Sequence, residues 1–168
     1  YLERYPQTKH VDVYLNDING TMRGKRLSVE SMLSLEKGCY FPLSVYSMDQ
    51  KGNIAAPLYD EPDRLCVPVA GSLRPCPQDP EHTAQILLTM KDSDGNPCPL
   101  EPRAILQNVV ARFHQHGLFP VIAPEIEFYL TGQGDRDPQN QGCFHMDTSS
   151  AHAALFDELE QLARSEER

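Results

Sequence analysis

The sequence predicts an α+β fold: a small mixed sheet carrying one helix over residues 1–97, then a second region that opens with a helix. Three observations carry this. "HVDVYLND" alternates Val11, Val13 and Leu15 with polar residues, the period of a half-buried strand. Asn19-Gly20 follows, a hairpin signal because both residues tolerate positive φ, and "MRGKRLS" supplies the return strand. Far downstream, Ile105, Leu106, Val109, Val110 and Phe113 recur at helical spacing.

After the hairpin, "SVESMLSLEKG" reads as a helix with Ser28 as N-cap, Val29, Met32 and Leu33 as an apolar stripe, and Gly38 just past the end. Strands are expected at "YFPLSVYSM", "RLCVPVAG" and "AQILLTMK". "DSDGNPCPLEP" is dense in turn formers and separates a first domain, 1–97, from a second, 101–168. There Pro102 starts a helix that runs to Gly117. A strand is expected over 121–130, a polar loop over 131–142, a short strand at "CFHM", and a helix capped at Ser149 or Ser150. One helix per strand leaves this second layer unfinished, so the chain reads as the front of a longer protein.

Net charge is −9, which disfavours electrostatic binding to nucleic acid or an acidic membrane. No apolar run approaches the ~20 residues of a transmembrane helix. The five cysteines form no CxxC pair, which points to reduced thiols and a cytoplasmic protein, with Cys66 in the core. His114 and His116 sit two apart near a helix end, where imidazoles interact favourably with the dipole rather than share one face. No phosphate-binding glycine motif and no nucleophilic triad order is present.

"APEIEFYL" is the stretch that carries chemistry. Glu125 and Glu127 flank Ile126, and in a strand they project from one face ~7 Å apart. Two half-buried carboxylates repel unless something compensates, and Mg²⁺ or Mn²⁺ takes hard oxygen ligands of this kind. A strand with one solvated face is the competing reading.

"VDVYLNDINGTMRGKRLSVESM", "LEKGCYFPLSVYSMD", "GLFPVIAPEIEFYL" and "CFHMDTSSAHAALFDELEQLA" occur in that order, and together they resemble a glutamine synthetase-type ligase from about residue 9 to 165. The resemblance is greatest to the branch that makes γ-glutamylpolyamines. It implies an N-terminal β-grasp domain followed by the truncated start of a catalytic domain. It implies that Glu125 holds the cation nearer the nucleotide phosphates and Glu127 the one nearer glutamate. It implies a homo-oligomer with active sites between subunits, using ATP, glutamate and an amine through γ-glutamyl phosphate. The family's later His-bearing and Arg-rich strands do not occur in these residues, so the chain by itself is expected to be inactive.

One departure bears on the amine. Ordinary glutamine synthetases carry an Asp, within Phe-Asp-Gly-Ser, that helps bind ammonium. Here the matching run is Phe41-Pro42-Leu43-Ser44, and proline offers no carboxylate. A larger amine, putrescine or another polyamine, is therefore expected, with Phe41, Tyr46 and Met48 beside its chain and Asp49 for its far charge. The alternatives are an ammonia-using glutamine synthetase in which Asp49 takes the missing role, or a non-catalytic β-grasp assembly module. Arg23, Lys25 and Arg26 read as a solvated hairpin strand before they read as a phosphate site, and Asp17 and Asn19 as turn residues.

Overall fold

The computed structural model describes residues 1–54, 62–128 and 152–166. Two compact units divide the chain, Tyr1–Ile122 and Ala123–Arg168.

The first unit is built on β1 (His10–Asn16) and β6 (Thr83–Met90), which run parallel in register from His10 opposite Thr83 to Tyr14 opposite Leu87. β2 (Met22–Ser28) pairs antiparallel along the other edge of β1. On its far edge β6 pairs antiparallel with β5 (Arg74–Pro75) over its first half and with β4 (Asp63–Pro68) over its second. β3 (Cys39–Pro42) adds antiparallel to β4. The strand order is β2-β1-β6-β4-β3, with β5 beside β6. The period-two apolar residues of the central strands make the core: Val11, Val13 and Leu15 from β1, and Ala84, Ile86, Leu88 and Met90 from β6. Cys66, Phe41, Val45 and Tyr46 close it from the β3–β4 side. Burial, then the neighbouring Cys39 and Glu101, push the Cys66 thiol up to about 12, as an unreactive core thiol requires.

The hairpin, β4, β6 and the sheet-plus-helix character follow the sequence reading, and four details do not. The expected helix splits into α1 (Val29–Met32) and one turn of 3₁₀ helix, Leu35–Lys37. The Ser34 hydroxyl bonds the Ser31 carbonyl at 3.1 Å, the local competition by which serine weakens helix interiors. The strand expected at "YFPLSVYSM" ends at Pro42 and becomes a 3₁₀ turn, Leu43–Tyr46, because proline has no N–H for the ladder. β5 was not expected. Residues 121–128, expected as a strand, have no regular secondary structure. Val121 and Ile126 are 95% and 84% exposed, and no described segment pairs with this stretch; an apolar strand needs neighbours that bury it.

α2 (Pro102–Gln115) matches expectation, with Pro102 in its first turn and Gly117 at φ 70 just beyond its end. In the second unit, α3 (Ala153–Glu166) is the described helix, pinned on its surface by Glu160 and Arg164. The "CFHM" strand, the 131–142 loop and the Ser149/Ser150 cap lie outside the described residues.

Candidate functional site

The amine-side candidates all lie in the first unit, at the end of the sheet where β3 finishes and the β1–β2 turn begins. Phe41 is buried on β3, and the Lys25 ammonium sits 4.5 Å from its ring centroid. Tyr46 is 6% exposed, and its hydroxyl is buried with no hydrogen-bond partner among the described residues. Burial pushes this phenol well above its ordinary value, reinforced by the charge of Glu101. Met48 bridges Ile54 across a tight loop. Asp49 closes that loop: Oδ1 accepts the Lys51 and Asn53 amides at 2.8 Å each, and Oδ2 accepts Asn53 Nδ2 at 2.9 Å. The Asn53 side chain, and after it the loop amides, hold the Asp49 carboxyl below the usual range. Three of its roughly four acceptor positions are thus in use, and its charge is retained.

Asp17 is the electrostatic centre of the neighbouring turn. Its Oδ1 accepts the Asn19 and Thr21 amides at 2.8 and 2.9 Å, and its Oδ2 accepts Arg23 Nε at 2.9 Å. Arg26, by contrast, forks onto Asp12 directly across the strand pair, at 2.7 and 2.8 Å. Lys25 and Arg26 are exposed, as a solvated hairpin strand requires, and the basic residues of β2 have specific protein partners as well.

Glu101 escaped the sequence reading because an acid between turn-forming prolines looks like a surface residue. It is buried at the start of α2, where its Oε2 accepts the Thr89 hydroxyl at 2.8 Å and the Met90 amide at 3.0 Å. Burial raises its carboxyl above the ordinary value despite those bonds. The available signal was its place immediately before Pro102, at the N-cap position of α2, although its side chain makes no capping hydrogen bond. Elsewhere in this unit, Met32, Leu35, Val67, Pro68, Leu73 and Ile86 line an apolar groove of about 390 Å³ that none of the amine-side candidates touches.

Glu125 and Glu127 belong to the second unit, and both are exposed. The half-buried setting expected for the pair is not met, since the strand that would bury it is not formed in 121–128. As two hard oxygen donors they suit Mg²⁺ or Mn²⁺, yet they fill a fraction of an octahedral shell. Among the described residues no group of three His, Cys, Asp or Glu completes one.

Residues 99–165 match the sequence model of the glutamine synthetase catalytic domain. The chain is also 45% identical, over 98% of its length, to the γ-glutamylputrescine synthetase PuuA of Escherichia coli K12. It belongs to the glutamine synthetase family. This member spans 39% of the length of the E. coli enzyme. It is 25% identical over 80% of its length to type-1 glutamine synthetase 2 of Dictyostelium discoideum, of which it spans 27%. Its fold resembles that of a glutamine synthase homologue, with TM-score 0.55 at 22% identity over 65% of this chain and 27% of that one. Ligand-free GmaS is similar to the same degree, with TM-score 0.55 at 21% identity over 68% and 25%. No helix among the described residues is long and apolar enough to cross a membrane.

Proposed function

We propose that the protein carrying this chain is an ATP-dependent ligase that joins the γ-carboxylate of glutamate to putrescine or a related polyamine. The observation that carries the reading is the 45% identity, over 98% of the chain, to a γ-glutamylputrescine synthetase. Pro42, in place of the ammonium-binding Asp of ordinary glutamine synthetases, supports a larger amine. The γ-carboxylate attacks the terminal phosphorus of ATP, giving γ-glutamyl phosphate and ADP. The amine nitrogen then attacks the acyl carbon, phosphate leaves, and the amine gives up a proton. Glu125 and Glu127 would hold Mg²⁺ or Mn²⁺, which neutralise phosphate charge when bound.

Phe41, Tyr46, Met48 and Asp49 are assigned to the amine. The strand order, with a parallel central pair and antiparallel flanks, supports a β-grasp domain over 1–97 ahead of a catalytic region from 101. A cytoplasmic homo-oligomer with sites shared between subunits completes the proposal. The ammonia-using alternative keeps Asp49 as its candidate acid.

The test is to incubate the full-length gene product with ATP, Mg²⁺, glutamate and putrescine and identify the product by mass spectrometry. γ-Glutamylputrescine with stoichiometric phosphate is expected. Free glutamine as the dominant product in a mixture of ammonium and putrescine would reject the polyamine assignment.

A further inference from the structure

β2 is an edge strand, but three donors from the β1–β2 hairpin cross to one stretch of chain. Asn19 Nδ2 donates to the Met48 carbonyl at 3.0 Å, Arg23 Nη2 to the Asp49 carbonyl at 2.7 Å, and Lys25 Nζ to the Tyr40 carbonyl at 3.0 Å. β2 and β3 are the two ends of the strand order, so the Lys25 bond ties one edge strand to the other. All three acceptors fall within residues 40–49, the stretch that holds Phe41, Tyr46, Met48 and Asp49.

Arg23 is the most constrained of the three donors. Its Nε is fixed on Asp17, and the two side chains are 18% and 0% exposed. The other Asp17 oxygen is engaged by two backbone amides, so the buried carboxylate cannot turn away without giving up both of those bonds. The guanidinium is therefore aimed before it meets the loop. On the receiving side, the Asp49 carbonyl also accepts the Gly52 amide at 3.0 Å, which makes it the common anchor of the turn and of Arg23.

We propose that Arg23, oriented by Asp17, is a positioning residue that fixes the Tyr46–Ile54 stretch and thereby sets selectivity for a diamine over ammonium. This rests on the ligase reading above and deepens it. Arg23 touches a backbone carbonyl and no assigned side chain, so it acts through the placement of Tyr46, Met48 and Asp49. A diamine needs a channel for its methylenes and an acceptor for its second ammonium at a fixed distance from the reacting nitrogen. A displacement of ~1 Å there weakens its capture. Ammonium has neither feature and is indifferent to the loop.

The experiment compares Arg23→Met, which keeps the stem and removes the donors, with Arg23→Lys, which keeps charge without the fork. Both are made in the full-length gene product. For Arg23→Met, the putrescine KM is expected to rise about tenfold or more, as loss of a charge-assisted bond implies. Its kcat should stay within about twofold, the ammonium KM should not move, and Arg23→Lys should fall between. Amide hydrogen exchange over 48–54 should quicken in the same variant. Quickened exchange with an unchanged putrescine KM would make the clasp purely structural and overturn the proposal. Unchanged exchange, or ammonium and putrescine KM rising together, would overturn it as well. If wild-type protein releases no phosphate with any amine, the ligase reading fails first, and the selectivity role falls with it. Should Arg23→Met not fold, Asn19→Ala removes the parallel bond to Met48 and is read by the same two measurements.

Discussion

The Asp17 carboxylate accepts Arg23 Nε at 2.9 Å while wholly shut off from water. Removing one partner of such a pair leaves a buried charge unmatched. Asp17→Ala should cost about 3–5 kcal/mol in urea unfolding. Asp17→Asn should cost less, because its amide oxygen still accepts the Asn19 and Thr21 amides. The pair also predicts an acid limb. Burial raises the Asp17 carboxyl, but the bonds from Arg23, Thr21 and Asn19 together outweigh it and leave the group below its ordinary value. A lowered folded value gives stability that is present above the unfolded carboxyl's ordinary value, about 4, and lost as pH falls through the folded one. Asp17→Asn should flatten the loss of stability below about pH 4, as read from urea midpoints against pH.

Glu101 predicts the opposite slope. Burial raises its folded value over the bonds from Thr89 and Met90 and the charges of Arg103 and Lys91. Its contribution is therefore fully present below the unfolded value of 4.5 and is lost as pH rises through the folded value. Glu101→Gln keeps an acceptor for Thr89 and Met90 and carries no charge. Its melting temperature should equal or exceed wild type at pH 7 and lack the decline that wild type shows as pH rises above 4.5. A variant markedly less stable at pH 7 would mean the ionised carboxylate is needed there.

Gly24 predicts a steric failure. It faces Tyr14 across the β1–β2 ladder, and a Cβ placed on it would lie 2.9 Å from the Tyr14 Cβ and closer still to the Val13 carbonyl. Backbone cannot give way as a side-chain tip can, so Gly24→Ala should destabilise by about 2 kcal/mol or more. Because β2 carries Arg23 and Lys25, exchange over 48–54 should quicken in the same variant.

Glu125 and Glu127 predict weak metal binding by this chain alone. Two exposed carboxylates on a stretch without regular secondary structure neither complete nor rigidify a cation shell. Calorimetry with Mn²⁺ should give a Kd no tighter than about 10⁻⁴ M. Micromolar affinity would require donors beyond these two.

What was legible in the sequence was local and periodic. The alternation of Val11, Val13 and Leu15 located β1, Asn19-Gly20 located the turn, and Pro102 and Gly117 bounded α2. The breaks at Pro42 and at Ser31–Ser34 were visible as residue types, yet whether a strand or helix survives such a residue depends on packing that no window contains. Glu125 and Glu127 were singled out by their chemistry and by the family resemblance; the half-buried strand expected around them does not form in 121–128, because a strand exists through its partners. The clasp onto 40–49 was invisible for a different reason. Its acceptors are backbone carbonyls, which every residue has, so the contact leaves no signature at the accepting end. Glu101 was missed because burial of a lone acid is decided by the Thr89 and Met90 donors brought to it by the fold.

The most direct test of the central claim is the ratio of kcat/KM for putrescine to that for ammonium. It is measured on the full-length gene product by phosphate release with glutamate and ATP saturating. With Pro42 in place of the ammonium-binding acid, and a methylene chain worth up to ~0.8 kcal/mol per buried CH₂, the ratio should exceed about tenfold in favour of putrescine. A ratio of one or below would contradict the account and leave an ammonia-using glutamine synthetase.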